Sequence, residues 1–170
     1  AKAGQNGFFE TSQKMREIEA NLLNEDFVDF LKSLNKREVE SILVGGYAVI
    51  LHGYHRTTGD MDIWVKPTEA NYQRLQSAFK DFGLPLNAIS LDDFLSTDKV
   101  DVFTFGRPPV AIDLLTKVSG LEFDEALRSS EAVIVDSAPT RLLSVQSLRA
   151  AKLAAGRHRD LDDLENLKEP

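Results

Sequence analysis

An apolar segment that turns at two glycines and then carries two aspartates constrains the fold more than any other stretch. Residues 41–44, SILV, form a short apolar run that ends at Gly45 and Gly46. Thirteen residues separate Gly46 from the segment DMDIWV, residues 60–65, which is again largely apolar. Short apolar runs bounded by turn signals are typical of buried strands, and glycines let the backbone turn sharply. The pattern predicts a strand, a corner, a short helix over YAVILHG and a second strand.

The remaining segments predict an α+β fold, in which a small mixed sheet is packed by helices and helical elements lie at both ends. A hairpin-like turn, GRPP, joins two predicted strands, KVDVFTF and VAIDLL, which disfavours a purely parallel doubly wound sheet. A further strand is predicted over EAVIVD. Helices are predicted over 24–35 (N-cap Asn24), 67–83, 90–95, 123–130, 144–156 and 160–167 (capped by Asp160), with a weaker helix over Met15, Ile18 and Leu22.

Length and composition favour a single domain in the cytoplasm. The 170 residues contain no repeat or linker, so we expect one domain over 1–170, with a core over 41–167 and an N-terminal helical extension over 1–40. No apolar run approaches ~20 residues and the first residues lack a signal-peptide pattern, so we expect no membrane association. The absence of Cys excludes disulfides and thiolate sites, and three His argue against a multi-histidine metal site.

The charge of the chain is negative overall but uneven. A net charge of −7 disfavours extended contact with nucleic acid. Residues 141–159 nevertheless contain five Arg or Lys and no acid. This segment is either a solvated helix face or a local surface for a polyanion such as a triphosphate or an RNA end.

Asp60 and Asp62 lie at strand positions that share one face. Alternate side chains of a strand point the same way, so these carboxylates repel each other unless a cation neutralises them. Mg²⁺, or Mn²⁺ in its place, favours such oxygen ligands. The alternative is a turn residue at 60 followed by a solvated strand residue at 62.

Asp113 offers a third carboxylate from the segment VAIDLL. A mid-strand Asp is costly to bury unless it is paired or binds metal. If its strand lies beside 60–65, three carboxylates converge and could hold two Mg²⁺ about 3.5–4 Å apart for phosphoryl transfer. An ion pair with an Arg, or a hydrogen bond to a nearby turn, is the alternative for Asp113. The corner at Gly45 and Gly46, where a helix begins, could seat a phosphate, although most such glycine pairs are simple turns.

Three pieces in order, LVGG, DMDI and AIDLL, resemble the DNA polymerase beta-type nucleotidyltransferase superfamily. The finer pattern, GGYAVILHGYHRTTGDMDI with a later KLAAGRHRDLDDLENL, resembles small bacterial nucleotidyltransferases of the AbiEii-like toxin group. The resemblance implies that Gly45 and Gly46 hold the nucleotide's β- and γ-phosphates. It implies that Asp60 and Asp62 bind both metals. It also implies that Asp113 completes the second metal site and acts as, or helps to form, the base for the attacking hydroxyl. Many members carry Ser at position 46, so a side-chain contact is missing here.

Several cations lie near these motifs. Arg56 and Thr57 fall between the glycines and the aspartates, where the resembling proteins have Arg-x-Thr-x-Asp; Arg56 contacts phosphate or forms an ion pair. Lys152 falls on the inward stripe of its helix and is predicted to reach the triphosphate or the carboxylates. Three other candidates are expected to be structural: His52 hydrogen-bonds locally, Trp64 packs in the interior and Asp160 caps a helix. Arg157 and Arg159 either steer an acceptor or cover surface.

Together these features predict a Mg²⁺-dependent nucleotidyltransferase that moves NMP from an NTP to an acceptor hydroxyl. The acceptor is open: a tRNA 3′ end, a protein hydroxyl or a small molecule, in a toxin–antitoxin or resistance context and with room for a partner protein. The alternative is a nucleotide-binding or complex-forming module with the same fold and little turnover. A sugar-nucleotide glycosyltransferase ranks lower, because it leaves the glycine spacing unexplained.

Overall fold

The structure, a computed structural model, describes residues 15–18, 22–85, 89–99, 101–107 and 109–167. Within these ranges the strands are β1 (Arg16–Ile18), β2 (Ser41–Val44), β3 (Asp60–Val65), β4 (Val102–Arg107), β5 (Val110–Leu115), β6 (Glu131–Val135) and β7 (Ala138–Leu142). The helices are α1 (Glu25–Lys36), α2 (Gly45–Leu51), α3 (Glu69–Phe82), α4 (Leu91–Leu95), α5 (Phe123–Ser129), α6 (Val145–Ala155) and α7 (His158–Asn166).

The strands form one mixed sheet in the order β1-β6-β7-β2-β3-β5-β4. The pairs β2–β3, β4–β5 and β6–β7 are antiparallel, whereas β1–β6, β2–β7 and β3–β5 are parallel. The predicted α+β class and the antiparallel pairing of β4 with β5 are therefore confirmed. No helix among the described residues has both the length and the apolar character that crossing a membrane requires.

α1 and α3 begin directly after the residues that the sequence predicts as their N-caps. The Asn24 side chain accepts from the Asp26 N–H at the start of α1, and Thr68 accepts from the Asn71 N–H at the start of α3. Gly83 ends α3 in the left-handed region at φ 90°, which glycine adopts without strain. The apolar stripe of α1 is buried as predicted and comprises Phe27, Phe30, Leu31 and Leu34.

Two predictions about elements are wrong, and one further strand lies where the sequence predicts none. Residues Arg16–Ile18 form a strand paired with β6, not part of a helix; Met15 and Leu22 lie outside any element, and 19–21 lie outside the described residues. The strand β7 was not predicted, because Pro139 interrupts its alternation. α7 begins at His158, so Asp160 is the third helical residue and not the N-cap.

The register of the central strands determines which side chains meet. Asp62 on β3 lies opposite Val44 on β2 and opposite Asp113 on β5. Asp113 in turn lies opposite Thr104 on the edge strand β4. Residues that are directly opposite across neighbouring strands share one face of a sheet. Three consecutive strands therefore present Asp62, Asp113 and Thr104 side by side on one face, next to the corner at Gly45.

Candidate active site

Three carboxylates converge at the centre of the sheet. Asp60, Asp62 and Asp113 each offer one oxygen, and these three oxygens lie within 4.8 Å of one another. All three residues are partly buried. The pleat puts Asp60 and Asp62 on one face of β3, and the parallel pairing of β3 with β5 adds Asp113. The predicted convergence of the three side chains is present in the structure.

The arrangement works against ionisation of the carboxylates. The pKa of Asp62 is raised from 3.8 to about 7, mainly by burial and then by the negative charges of Asp60 and Asp113. The Lys152 charge and a hydrogen bond from the Gly46 N–H act in the opposite direction. Burial also raises the pKa of Asp113, a hydrogen bond with Asp60 adds to that rise, and a hydrogen bond from Thr104 opposes it. The cluster is thus short of positive charge.

The donor set fits a hard divalent cation. Mg²⁺ takes carboxylate oxygens and usually keeps several waters, and a cation between like charges removes the repulsion that raises the pKa of Asp62. The oxygens come from two adjacent strands, so their backbone positions are fixed by the sheet. Asp60, Asp62 and Asp113 could therefore hold a metal ion, as predicted.

The glycine corner is shaped by close contact with this cluster. Gly45 has φ +66°, and a Cβ at that position would lie 2.0 Å from Asp62 Oδ2. A Cβ at Gly46 would lie 2.6 Å from Thr58 Oγ1 and 3.0 Å from Arg56 Nη2. Side chains at 45 and 46 are therefore excluded by their neighbours. The Gly46 N–H donates to the Asp62 carboxylate, so the corner and the carboxylates form one unit.

We expect Gly46→Ala to destabilise the protein by about 1–3 kcal/mol, the usual cost of overpacking. Gly59→Ala is the control, because a Cβ there meets nothing within 4 Å and Gly59 lies in the loop between α2 and β3. Urea denaturation of both variants measures the difference. Equal stability of the two variants would contradict the close packing of Gly46 against Thr58 and Arg56.

The carboxylates open into a cleft of about 730 Å³. Its walls include the glycine corner, the carboxylates and residues of α6 and α7. Lys152, Arg157 and Arg159 are the cationic wall residues contributed by the C-terminal segment. Lys117 lies on the wall as well, as do Asp101 and Asp160. The lining thus combines carboxylates from the sheet with cations from the C-terminal segment.

Lys152 is buried, as its position on the inward stripe predicted, but the anions it contacts were not anticipated. Its Nζ lies 3.1 Å from Asp160 Oδ1 and 2.9 Å from Asp163 Oδ2. Asp160 also accepts from Arg157 Nε at 2.8 Å and from the Arg157 backbone N–H at 3.2 Å. Asp160 is therefore not the N-cap of α7, but it takes part in capping as the third helical residue, because it accepts from the backbone N–H of the N-cap residue Arg157.

Arg56 forms the ion pair that was one of its two predicted roles. Its Nε lies 2.8 Å from Asp163 Oδ1, and its Nη2 donates to Asp163 Oδ2 at 3.1 Å. Asp163 is fully buried and was not singled out from the sequence. The sequence gives little indication that Asp163 is buried, because an Asp three residues after Asp160 in an acidic helix looks like an Asp on a solvated helix face.

Thr58, not Thr57, lines the cleft beside the glycine corner. Thr57 is exposed, and its carbonyl oxygen accepts from Arg56 Nη1 and Arg159 Nη2. The spacing Arg-x-Thr-x-Asp counted from Arg56 ends at Asp60 and passes through Thr58, so the pattern itself contained this residue. Thr58 is thus the threonine of this motif that lies on the cleft wall, and Thr57 is not among the wall residues.

The basic segment 141–159 does not form one cationic surface. Arg149 donates to the carbonyl oxygens of Leu164 and Leu167, and Lys152 is buried. Arg157 and Arg159 are exposed and line the cleft. The segment therefore contributes two exposed cations to the mouth of the cleft.

His52 and Trp64 have structural roles, as expected. His52 Nε2 lies 2.7 Å from the Leu143 carbonyl oxygen. Trp64 is buried and packs edge-on against Phe123, with ring centroids 5.1 Å apart.

The comparisons with known proteins do not identify a family for this chain. The sequence matches no protein-family model, and a search of curated proteins found no match. The resemblance to the nucleotidyltransferases therefore stays a prediction that depends on the motifs at 43–46, 60–63 and 111–115.

Proposed function

We propose that this protein is a Mg²⁺-dependent nucleotidyltransferase that transfers NMP from an NTP to an acceptor hydroxyl and releases pyrophosphate. The observation that carries the proposal is the meeting of three carboxylate oxygens within 4.8 Å beside a glycine corner. The cleft volume of about 730 Å³ is in the range of small-molecule sites. An acidic centre facing cations suits a metal-bound triphosphate.

Asp60, Asp62 and Asp113 would hold the metal ions, Mg²⁺ or Mn²⁺. Bound there, divalent ions neutralise phosphate charge and lower the pKa of the attacking hydroxyl. Asp113 would accept the proton of the acceptor hydroxyl. The hydroxyl oxygen then bonds to the α-phosphorus while the bond from that phosphorus to the bridging oxygen breaks. Pyrophosphate leaves with that oxygen.

The β- and γ-phosphates would lie at the glycine corner, where neighbouring groups exclude side chains at positions 45 and 46 and both glycines line the cleft. The absence of a side chain at Gly46 removes a hydroxyl contact, and the Thr58 hydroxyl lies 2.6 Å from the position that a Cβ of residue 46 would take. Lys152 and Arg56 would add positive charge from the cleft wall. The exposed Arg157 and Arg159 would face the acceptor, whose chemical class stays open among a tRNA 3′ end, a protein hydroxyl and a small molecule.

A second candidate is a nucleotide-binding module that forms complexes and turns over little. The observation in its favour is that Lys152 and Arg56 are already paired with Asp160 and Asp163. Such pairing reduces the charge available to a leaving pyrophosphate. Calorimetry with Mg-ATP, combined with the transfer assay, separates the two: the module binds the nucleotide tightly and labels nothing.

The transfer assay uses NTPs labelled on the α-phosphate, incubated with the protein, Mg²⁺ and cell extract under single-turnover conditions. We expect label in one macromolecular or small-molecule product with the wild type. We expect at least a 10³-fold lower rate with Asp60→Ala/Asp62→Ala, since metal-ion catalysis of phosphoryl transfer contributes several kcal/mol. Label transfer that persists in the double variant would reject the proposed site, and the identity of the labelled molecule would define the acceptor.

A further inference from the structure

The edge strand β4 places a hydroxyl directly on one of the three carboxylates. Thr104 lies opposite Asp113 in the antiparallel pair β4–β5. Its Oγ1 donates to Asp113 Oδ1 at 2.6 Å. Distances of 2.5–2.7 Å are typical of hydroxyl groups bound to an ionised carboxylate. The contact therefore favours the charged form of Asp113, which a metal ion requires.

Strand propensity alone does not account for this contact. Threonine is common in strands because it is β-branched, and valine would serve an exposed edge strand equally well. On the sheet face that Thr104 shares, its strand neighbours are Val102 and Gly106, which offer no hydroxyl. The hydroxyl at 104 is thus placed at the one register position of β4 that faces Asp113.

The hydrogen bond from Thr104 bears on the orientation of the Asp113 carboxylate within the cluster. A carboxylate has about four lone-pair sites, and Thr104 occupies one of those on Asp113 Oδ1. One oxygen of Asp113 also lies within 4.8 Å of an oxygen of Asp60 and of an oxygen of Asp62. A donor on the side of β4 fixes the rotation of the Asp113 carboxylate about its Cβ–Cγ bond. The remaining lone pairs are then held toward Asp60 and Asp62.

We propose that Thr104 is a positioning residue, whose hydroxyl holds the Asp113 carboxylate in the orientation that completes the divalent-cation site. This inference rests on the proposed function only as far as the metal site. Outer hydrogen bonds to metal ligands typically change metal affinity by about 10–100-fold when they are removed. Thr104 is not placed in contact with the nucleotide or the reacting atoms.

The test is a titration of the metal-free full chain with Mn²⁺ alone, followed by calorimetry. Thr104→Val removes the hydroxyl and keeps the shape, Thr104→Ser keeps the hydroxyl, and Asp113→Asn removes the ligand. We expect Thr104→Val to weaken Mn²⁺ binding by about 10-fold or more, and Thr104→Ser to bind within about threefold of the wild type. Circular dichroism of each variant without metal confirms that it is folded.

The outcomes separate this inference from the proposed function. Equal Mn²⁺ affinity of Thr104→Val and wild type, with weakened binding in Asp113→Asn, would overturn the role of Thr104 and leave the metal site intact. Equal loss in Thr104→Val and Thr104→Ser would also overturn it, because the hydroxyl would then be irrelevant. Wild-type Mn²⁺ binding that depends on Thr104 but yields no nucleotide transfer would support the inference and contradict the proposed function.

Discussion

Asp62→Asn is expected to stabilise the metal-free protein at pH 8 by about 2–4 kcal/mol and to abolish divalent-cation binding. The reason is the pKa of Asp62, which is about 7 in the folded protein against an ordinary value of 3.8. Asn keeps the size of the side chain and an oxygen that accepts from the Gly46 N–H, but it carries no charge. The variant therefore removes the repulsion with Asp60 and Asp113 without opening a cavity.

The sign of the pH dependence follows from the same pKa. Below about pH 4 Asp62 is protonated in both the folded and the unfolded chain, and its charge costs nothing. Between pH 4 and 7 the unfolded chain loses this proton first, so the folded wild type becomes progressively less stable. The penalty is complete above pH 7. The difference in unfolding free energy between Asp62→Asn and wild type should therefore be near zero at pH 4 and maximal at pH 8.

Urea denaturation at pH 4, 6 and 8 measures this difference, with and without Mn²⁺. Mn²⁺ should stabilise the wild type at pH 8, because a bound cation neutralises the carboxylates, and should leave Asp62→Asn nearly unchanged. A variant that is less stable than the wild type at pH 8 without metal would contradict the charge deficit at the site. A stability difference that does not change with pH would contradict the raised pKa of Asp62.

The acidic half of the site could be predicted from the sequence because it depends on the spacing of residues within short segments. The spacing of Asp60 and Asp62 places both on one strand face, and a strand has only two faces. The segment VAIDLL identifies Asp113 as an unusual charge in an apolar strand. What the sequence left open was whether β5 lies beside β3. Strand order depends on pairing between distant segments, which single-sequence patterns do not specify.

The misassigned elements share a different cause. β7 contains Pro139, and a proline is expected only at sheet edges or bulges because it has no N–H. In the register of β2 with β7, only Leu142 of β7 is paired, opposite Leu43, so Pro139 interrupts no ladder on that side. Met15, Ile18 and Leu22 have helical spacing, but Arg16–Ile18 is held as a strand by β6 and by an ion pair between Arg16 and Glu131. Long-range pairing decides both elements.

The cationic half of the site was only partly predictable, because its charges interact across distant segments. Lys152 could be assigned to an inward face from its helical spacing, but not to its partners, since Asp160 and Asp163 follow a turn at Gly156. Arg56 lies 107 positions from Asp163. In the sequence, two buried carboxylates three residues apart on a helix look the same as two carboxylates on a solvent-exposed acidic face. Only the packing of α7 against α6 and the loop shows which one is buried.

Asp163→Asn is expected to destabilise the protein by about 3–5 kcal/mol, because removal of one partner leaves buried charge uncompensated. Asp163 is 0% exposed and contacts both Arg56 and Lys152. In the variant, Asp160 alone would remain to balance these two cations and Arg157. The same contacts join α7 to the loop that carries Thr58, so we also expect weaker nucleotide binding from a displaced Arg56.

The neighbouring Asp162→Asn is the matched control, measured by urea denaturation beside Asp163→Asn. Asp162 is exposed and accepts from the Tyr54 hydroxyl at 2.9 Å, so its loss should cost within about 1 kcal/mol. The double variant Arg56→Met/Asp163→Leu removes one charge of each sign and leaves Lys152 with Asp160. It should be more stable than Asp163→Asn, since replacing a whole buried pair by apolar side chains costs less than breaking it. If the double variant is the less stable of the two, uncompensated charge is not the reason that Asp163 matters, and the packing of α7 against the loop must depend on the shape of these side chains instead.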